Sequence, residues 1–261
     1  MSFQPFVPTG GLSGWRFLQN TIETQRKAHG EGVALQRDLA YFRDNIGKID
    51  TAEALVSDYR LLSVALGAFG LSDDIGSKFL IRRVLEEGTL EPDALANKLS
   101  DKRYRDLSRA FGFGDFPVPS TKISPFADKI EARYRDQAFE TDMGQTSETM
   151  RLALYVQREL PALAAGTGSN RTKWFTIMGI APIRQVMETA MGLPSSFATL
   201  SLDKQLETFL ERSRSIFGTD QIDDLASDGA LGRVLDRFTV LDESDTSLTV
   251  SSPALVLLRG F

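Results

Sequence analysis

The chain has 261 residues, 42% hydrophobic and 25% charged, enough to bury a substantial core in one large domain or two small ones. Its net charge of −5 disfavours a general nucleic-acid binder or regulator, which needs a basic surface. The absence of cysteine excludes disulfides, thiol nucleophiles and thiolate zinc sites, and the single histidine, His29, excludes multi-histidine metal centres.

Residues 1–13 are rich in Pro and Gly and read as extended, with no basic start and apolar run of a cleavable secretion signal. Ser13 is placed to cap a first helix in which Trp15, Leu18 and Ile22 share a face, broken at 29–32. His29 lies between Ala28 and Gly30 in a polar stretch, which predicts an exposed loop or helix-end side chain rather than a triad member. Leu35, Leu39, Phe42 and Ile46 recur at helical steps, and Asp50 with Glu53 resembles a capping box. Leu55, Tyr59, Leu62, Leu66 and Phe69 then alternate steps of four and three. That spacing predicts one core helix, too short for a coiled coil.

A wide-faced helix is expected over 75–87, with Phe79, Leu80 and Val84 apolar. Thr89 and Ser100 are placed to cap two shorter helices, the second with Tyr104, Leu107 and Phe111 inward. Residues 112–119 hold two glycines and two prolines and form the best candidate boundary in the chain. Beyond it, Ser124-Pro125 opens a helix through Ile130, Tyr134 and Ala138, which Met143-Gly144 should interrupt. A long helix over 147–165 should kink or stop at Pro161. Further helices start at Pro182 and Ser201, and a last one holds Leu231, Val234, Leu235 and Phe238. Leu248 and Val250 alternate with polar residues, a weak strand signal, and Pro253 precedes the apolar run Ala254 to Leu258.

Four apolar–glycine pairs punctuate this pattern: Phe69-Gly70, Phe111-Gly112, Met191-Gly192 and Phe217-Gly218. Glycine just past a helix adopts the left-handed conformation that ends it. The fold class is therefore mainly α, an array of short packed helices. The proposed organisation is an N-terminal half (1–120), a C-terminal half (121–245) and an extended apolar tail (246–261). The helical hairpins around Phe69-Gly70-Leu71 and Met191-Gly192-Leu193 invite a reading as two similar halves, against the alternative that any two helical hairpins share this pattern.

Chemistry is sparse. Gly166 to Arg171 lacks the Gly-Lys-Ser/Thr ending and preceding strand of a phosphate loop, so a flexible turn is expected. Lys102, Arg103, Arg105 and Arg109 surround Tyr104, whose spacing is that of a buried face, which leaves the basic residues on a solvated side. Asp73-Asp74, Glu86-Glu87 and Asp223-Asp224 are adjacent, and helical neighbours diverge by about 100°. No pair fits a calcium loop. No catalytic, cofactor-binding or metal-ligating residue and no cofactor is assigned. No stretch approaches the ~20 apolar residues of a membrane helix, so no membrane insertion is expected. Leu255, Val256, Leu257, Leu258 and Phe261 have two readings, as a segment docked on the protein's own core or as a hydrophobic handle for a partner.

Several strings resemble an uncharacterised alphaproteobacterial family: Gly14-Trp15-Arg16-Phe17-Leu18, Leu66-Gly67-Ala68-Phe69-Gly70-Leu71, Ile81-Arg82-Arg83-Val84-Leu85-Glu86-Glu87-Gly88, Leu95-Ala96-Asn97-Lys98-Leu99, Asp101-Lys102-Arg103-Tyr104 and Gly192-Leu193-Pro194-Ser195-Ser196-Phe197. The likeness runs from about Gly14 to about Phe238. Genes of that family commonly sit among flagellar genes. The resemblance therefore implies a helical fold and association with flagellar assembly or motility. It brings no catalytic residues. The chain lacks the Asn-rich N-terminal signature and long terminal heptads of axial flagellar proteins.

The resulting expectation is a non-catalytic protein that binds flagellar protein partners. It would act in the cytoplasm, or after export through the flagellar apparatus without a cleavable signal. The alternative from another class is a muramidase-like, peptidoglycan-cleaving enzyme using Glu86, which would have to sit in an apolar cleft that raises its pKa.

Overall fold

The computed structural model describes residues 3–250, without the side chains of Ser195 and 243–250. Among the described residues there are fourteen α-helices, three 3-10 turns and no strand. The helices are α1 (Gly11–Gly30), α2 (Val33–Ile46), α3 (Ala52–Ser57), α4 (Tyr59–Ala68), α5 (Lys78–Glu87), α6 (Leu95–Lys98) and α7 (Arg103–Phe111). They continue with α8 (Phe126–Thr146), α9 (Glu148–Ala164), α10 (Asn170–Gly179), α11 (Ala181–Ala190), α12 (Leu202–Phe217), α13 (Ile222–Leu225) and α14 (Asp228–Val250).

The chain forms two compact units. Unit 1 gathers Met1–Pro5 with Ile22–Asp142, and unit 2 gathers Phe6–Thr21 with the residues from Met143 on. The units part within α1 and within α8, and the Pro/Gly-rich stretch 112–119 lies inside unit 1. In unit 1, α2 packs on α4, α3 on α4 and α5, and α5 on α7, around Phe42, Leu62, Leu66, Val84 and Phe111. In unit 2, α11 packs on α9 and α14, and α10 on α11, around Trp174, Ile183, Met187, Phe209 and Phe238.

The two units repeat one design. In each, a long helix (α2, α9) leads to two helices separated by a single residue, α3 and α4 about Asp58, α10 and α11 about Ile180. At one constant chain spacing, Leu55, Leu61, Val64, Ala68 and Gly70 correspond to Ile177, Ile183, Val186, Ala190 and Gly192, and the apolar members are all buried. Both runs end in a Schellman motif. Leu71 N–H donates to the Leu66 carbonyl at 2.9 Å, and Leu193 N–H to the Glu188 carbonyl at 2.9 Å. Arginines then donate to the carbonyls at each helix end. Arg133 meets Ala68 O at 3.4 Å and Arg237 meets Ala190 O at 2.6 Å; Arg103 donates to Gly70 O, and Arg212 to Met191 O at 2.7 Å.

All four punctuating glycines have positive φ: Gly70 68°, Gly112 67°, Gly192 63° and Gly218 83°. Gly112 and Gly218 end α7 and α12 with single bonds to the carbonyls of Ser108 and Arg214.

Several local expectations change. The run from Leu55 to Phe69 is two helices, because Asp58 turns extended and caps α4 through Arg60 N–H and Leu61 N–H, leaving Tyr59 62% exposed. Thr51, rather than Asp50, caps α3. Ile75 to Ser77 stay outside α5, and Phe79 is exposed. Thr89 opens no helix. Asp115 holds the N–H groups of Thr89 and Leu90, while Gly88 and Gly114 approach so closely that a Cβ on Gly114 would lie 2.4 Å from Gly88 N.

Gly144 does not interrupt α8; it gives room to Arg151. α9 continues past Pro161 for one more turn. The missing N–H there removes a bond only near the helix end, where it costs least. α14 is helical through Val250, so 246–250 are not the extended segment expected. The helix outlasts a weak alternation of apolar residues because two-residue periodicity alone does not supply a strand partner. Leu255, Val256, Leu257, Leu258 and Phe261 lie outside the described residues.

Candidate functional site

The charged residues singled out in the sequence serve the fold. Glu86 stands on α5 with its side chain 48% exposed, 3.7 Å from Arg82, and not in an apolar cleft. Its neighbour Glu87 is held below the usual carboxylate range, first by the Leu95 N–H at 2.6 Å and then by Arg83. In the basic cluster, Lys102 donates to the Asn97 and Leu99 carbonyls at the end of α6, and Arg103 bonds Asp101 and Gly70 O. Tyr104 is buried in the core of unit 1, and that burial, with a hydrogen bond to Asp74, pushes its hydroxyl up to about 12.

The turn at 166–170 is bound into unit 2. Ser169 caps α10 through Thr172 N–H, Asn170 bridges Asp220 O and Ile222 N–H, and Lys173 donates to Ala164 O and Asp223. These donors already have protein acceptors, which leaves little for a phosphate.

His29 differs from its expected setting. It sits at the end of α1 as foreseen, but is only 6% exposed. Its Nε2 lies 2.9 Å from Asp142 Oδ2, and its ring stands edge-on to Phe139 at 5.6 Å. Polar sequence neighbours concealed this because burial is set by α8, more than a hundred residues away. Glu131, also buried, accepts from the Nε and Nη2 of Arg43 at 2.8 and 2.6 Å. Among the described residues no group of three His, Cys, Asp or Glu could hold a metal ion.

The surface of unit 2 carries a different feature. Phe175, Met178 and Gly179 on α10, with Leu202 at the start of α12, line an apolar pocket of about 370 Å³. That is at the small end of ligand-pocket sizes. Trp174, Ile177 and Met178 form the buried stripe of α10; Phe175 falls one position off it and so faces the pocket. Arg171 lies 5.2 Å from the Phe175 ring and pairs with Asp203 at 2.7 Å, forming a polar rim. Leu202 and Leu200 remain 58% and 45% exposed.

Unit 1 shows that the fold does not require this pocket. The position matching Phe175 is Glu53, which pairs with Arg82 of α5 at 3.6 Å, and the position matching Gly179 is Ser57. Sequence inspection missed the pocket. Its only signal was a large aromatic next to, rather than within, a helix's apolar stripe.

A two-unit, all-α array with an apolar surface pocket is thus the class of protein defined by the fold. The chain belongs to the protein family of unknown function DUF1217, whose profile matches residues 68–227. The X-ray crystal structure of protein AGR_C_984 from Agrobacterium tumefaciens is similar over 93% of this chain and 99% of that one, at 26% identity and a TM-score of 0.74. A comparison with curated proteins finds no match.

Proposed function

We propose that this protein is a non-catalytic interaction component of flagellar assembly or motility that docks protein partners through the apolar pocket of unit 2. The observation that carries the docking part is the pocket itself, apolar and open at Leu202 on a face whose counterpart in unit 1 is polar. Apolar concavities with a charged rim suit the anchoring side chain of a partner. The flagellar part is supported by the strings shared with the alphaproteobacterial family. The protein works in the cytoplasm or reaches its partner through the flagellar export route.

The test is a clean deletion strain complemented in trans. Swimming should fall in the deletion, return with the wild-type gene and fail to return with Phe175→Asp, whose protein should still fold. Normal flagella and swimming in the deletion would overturn the proposal. A peptidoglycan-digestion assay checks the non-catalytic part: turnover that Glu86→Gln abolishes would restore the enzyme alternative. Immunoblots of cells and culture medium locate the protein.

A further inference from the structure

We infer that Arg105 and Arg109, one turn apart on α7 of unit 1, form a second recognition surface, which takes an acidic helical segment of a partner protein presenting two carboxylates at the same spacing. The inference does not depend on the apolar pocket of unit 2.

The fold leaves these two cations over. Residues 98–109 carry five cations and two carboxylates, in a chain whose net charge is −5. Lys98 pairs with Asp93 at 3.0 Å, Lys102 is engaged by the Asn97 and Leu99 carbonyls, and Arg103 by Asp101 and Gly70 O. Among the described residues, Arg105 and Arg109 form no ion pair.

Local energetics do not call for them either. Arg105 stands in the first turn of α7, where the helix dipole disfavours a cation. Arg109 suits the last turn, but it follows Arg105 at i+4, and like charges at that spacing weaken a helix slightly.

The geometry makes the pair usable. Tyr104, Leu107, Ser108 and Phe111 are the buried stripe of α7, and Ser108 donates to Val84 O of α5 at 2.8 Å. Arg105 and Arg109 flank that stripe on one side, about 40° apart around the helix axis and about 6 Å apart along it. The Arg105 Nε is enclosed without a hydrogen-bond partner, so packing rather than a carboxylate fixes the stem, and both Nη nitrogens stay accessible. A guanidinium held in this way loses little freedom on binding.

The ligand chemistry follows from that arrangement. Guanidinium forks match carboxylates, and acidic residues four apart on a second helix repeat the step of about 6 Å. An apolar contact is available at the C-terminal end of α7. Leu90 there is 67% exposed, and its N–H is taken by Asp115, just past the Gly112 that ends the helix. A polynucleotide fits less well. The net charge repels it, and Tyr104, the aromatic of the cluster, is buried and offers no stacking face.

The probe is an alanine-based helical peptide with two Glu at i and i+4, titrated into the isotope-labelled full chain and followed by nuclear magnetic resonance at low salt. Backbone signals of α7 should move, with a Kd of about 1 mM or below. Arg105→Gln with Arg109→Gln should weaken binding at least about tenfold, and so should Gln in place of both Glu in the peptide. Arg16→Gln with Arg37→Gln removes the same charge from exposed sites elsewhere and should leave affinity within about twofold. Arg109→Gln alone changes an exposed side chain and should still weaken binding about threefold, which reads the surface even if the double variant melts early. Unmoved α7 signals, equal binding of the Gln peptide, equal losses in the two double variants, or tighter binding of a single-stranded oligonucleotide of equal charge would overturn the inference.

Discussion

Units 1 and 2 hold the same helical skeleton but fill it differently. The five positions from Leu55/Ile177 to Gly70/Gly192 agree in apolar character or in glycine, and paired arginines close both Schellman ends. Around these positions the units diverge. Ala52 in unit 1 corresponds to Trp174 in unit 2, Asp58 to Ile180, and Glu53 to Phe175. At the junction about Asp58 unit 1 uses a side-chain cap and the nearby Glu53–Arg82 ion pair; at the matching junction about Ile180, which has no side-chain cap, unit 2 uses large apolar groups. The lesson is that helix order tolerates different local solutions, and the position that trades an ion pair for an aromatic is where a surface pocket arises.

The largest expected effect tests unit 2's reliance on one aromatic. Trp174 is fully buried, stacks on Phe209 with 5.5 Å between centroids, and donates its indole N–H to Asp220 O at 2.8 Å. Trp174→Ala should cost about 3–5 kcal/mol, read by denaturant melts. A loss under about 1 kcal/mol would mean that unit 2 needs no larger filler than unit 1 has at Ala52.

Unit 1's reliance on charge comes next. Glu131→Ala leaves Arg43 without its bidentate partner and should cost about 2 kcal/mol, below the range for a fully buried pair because Arg43 is half exposed. Unchanged stability would remove the contrast from unit 1's side.

The two Schellman glycines sharpen the comparison further. Replacing either by Ala forces a left-handed residue with a side chain, at about 1–2 kcal/mol. At Gly70 the new Cβ also meets Gln137 Nε2 at 2.9 Å, whereas at Gly192 its nearest neighbour is Arg212 Nη2 at 3.6 Å. Thermal melts should therefore show the larger loss for Gly70→Ala. The reverse order would show that the two ends are not supported alike.

The smallest effect is acid sensitivity. Burial pushes the Asp58 carboxyl up, but the Tyr41 hydroxyl and the N–H groups of Leu61 and Arg60 outweigh this and hold it below the usual carboxylate range. Its stabilising contribution is thus full above the unfolded value of about 3.9 and is lost as pH falls through the lower folded value. Asn caps a helix about as well as Asp and does not titrate here. The melting gap between wild type and Asp58→Asn should close as pH drops below 4. A constant gap would show that Ile180 and Asp58 serve their junctions equally without titration.

Helix ends were the most legible part of the sequence. Glycine's access to positive φ is a property of the residue itself, so Gly70, Gly112, Gly192 and Gly218 announce their stops without knowledge of what packs on them. The same holds for Leu39, Phe42 and Ile46, whose spacing alone defines a buried stripe. The break at Asp58 was hidden because apolar spacing carries smoothly across it, while a cap depends on one side chain's local hydrogen bonds.

By itself, then, the sequence determined that this is a helical protein, where most of its helices stop and which stripes they bury, since propensity, periodicity and glycine geometry act within a few residues. Tertiary structure alone decided that His29 is buried against Asp142 and Phe139, that Phe79 is not buried, and that Phe175 and Leu202 meet in one pocket. Those outcomes depend on which distant helix arrives at each surface, and contact between remote segments is set by packing of the whole unit rather than by any local pattern.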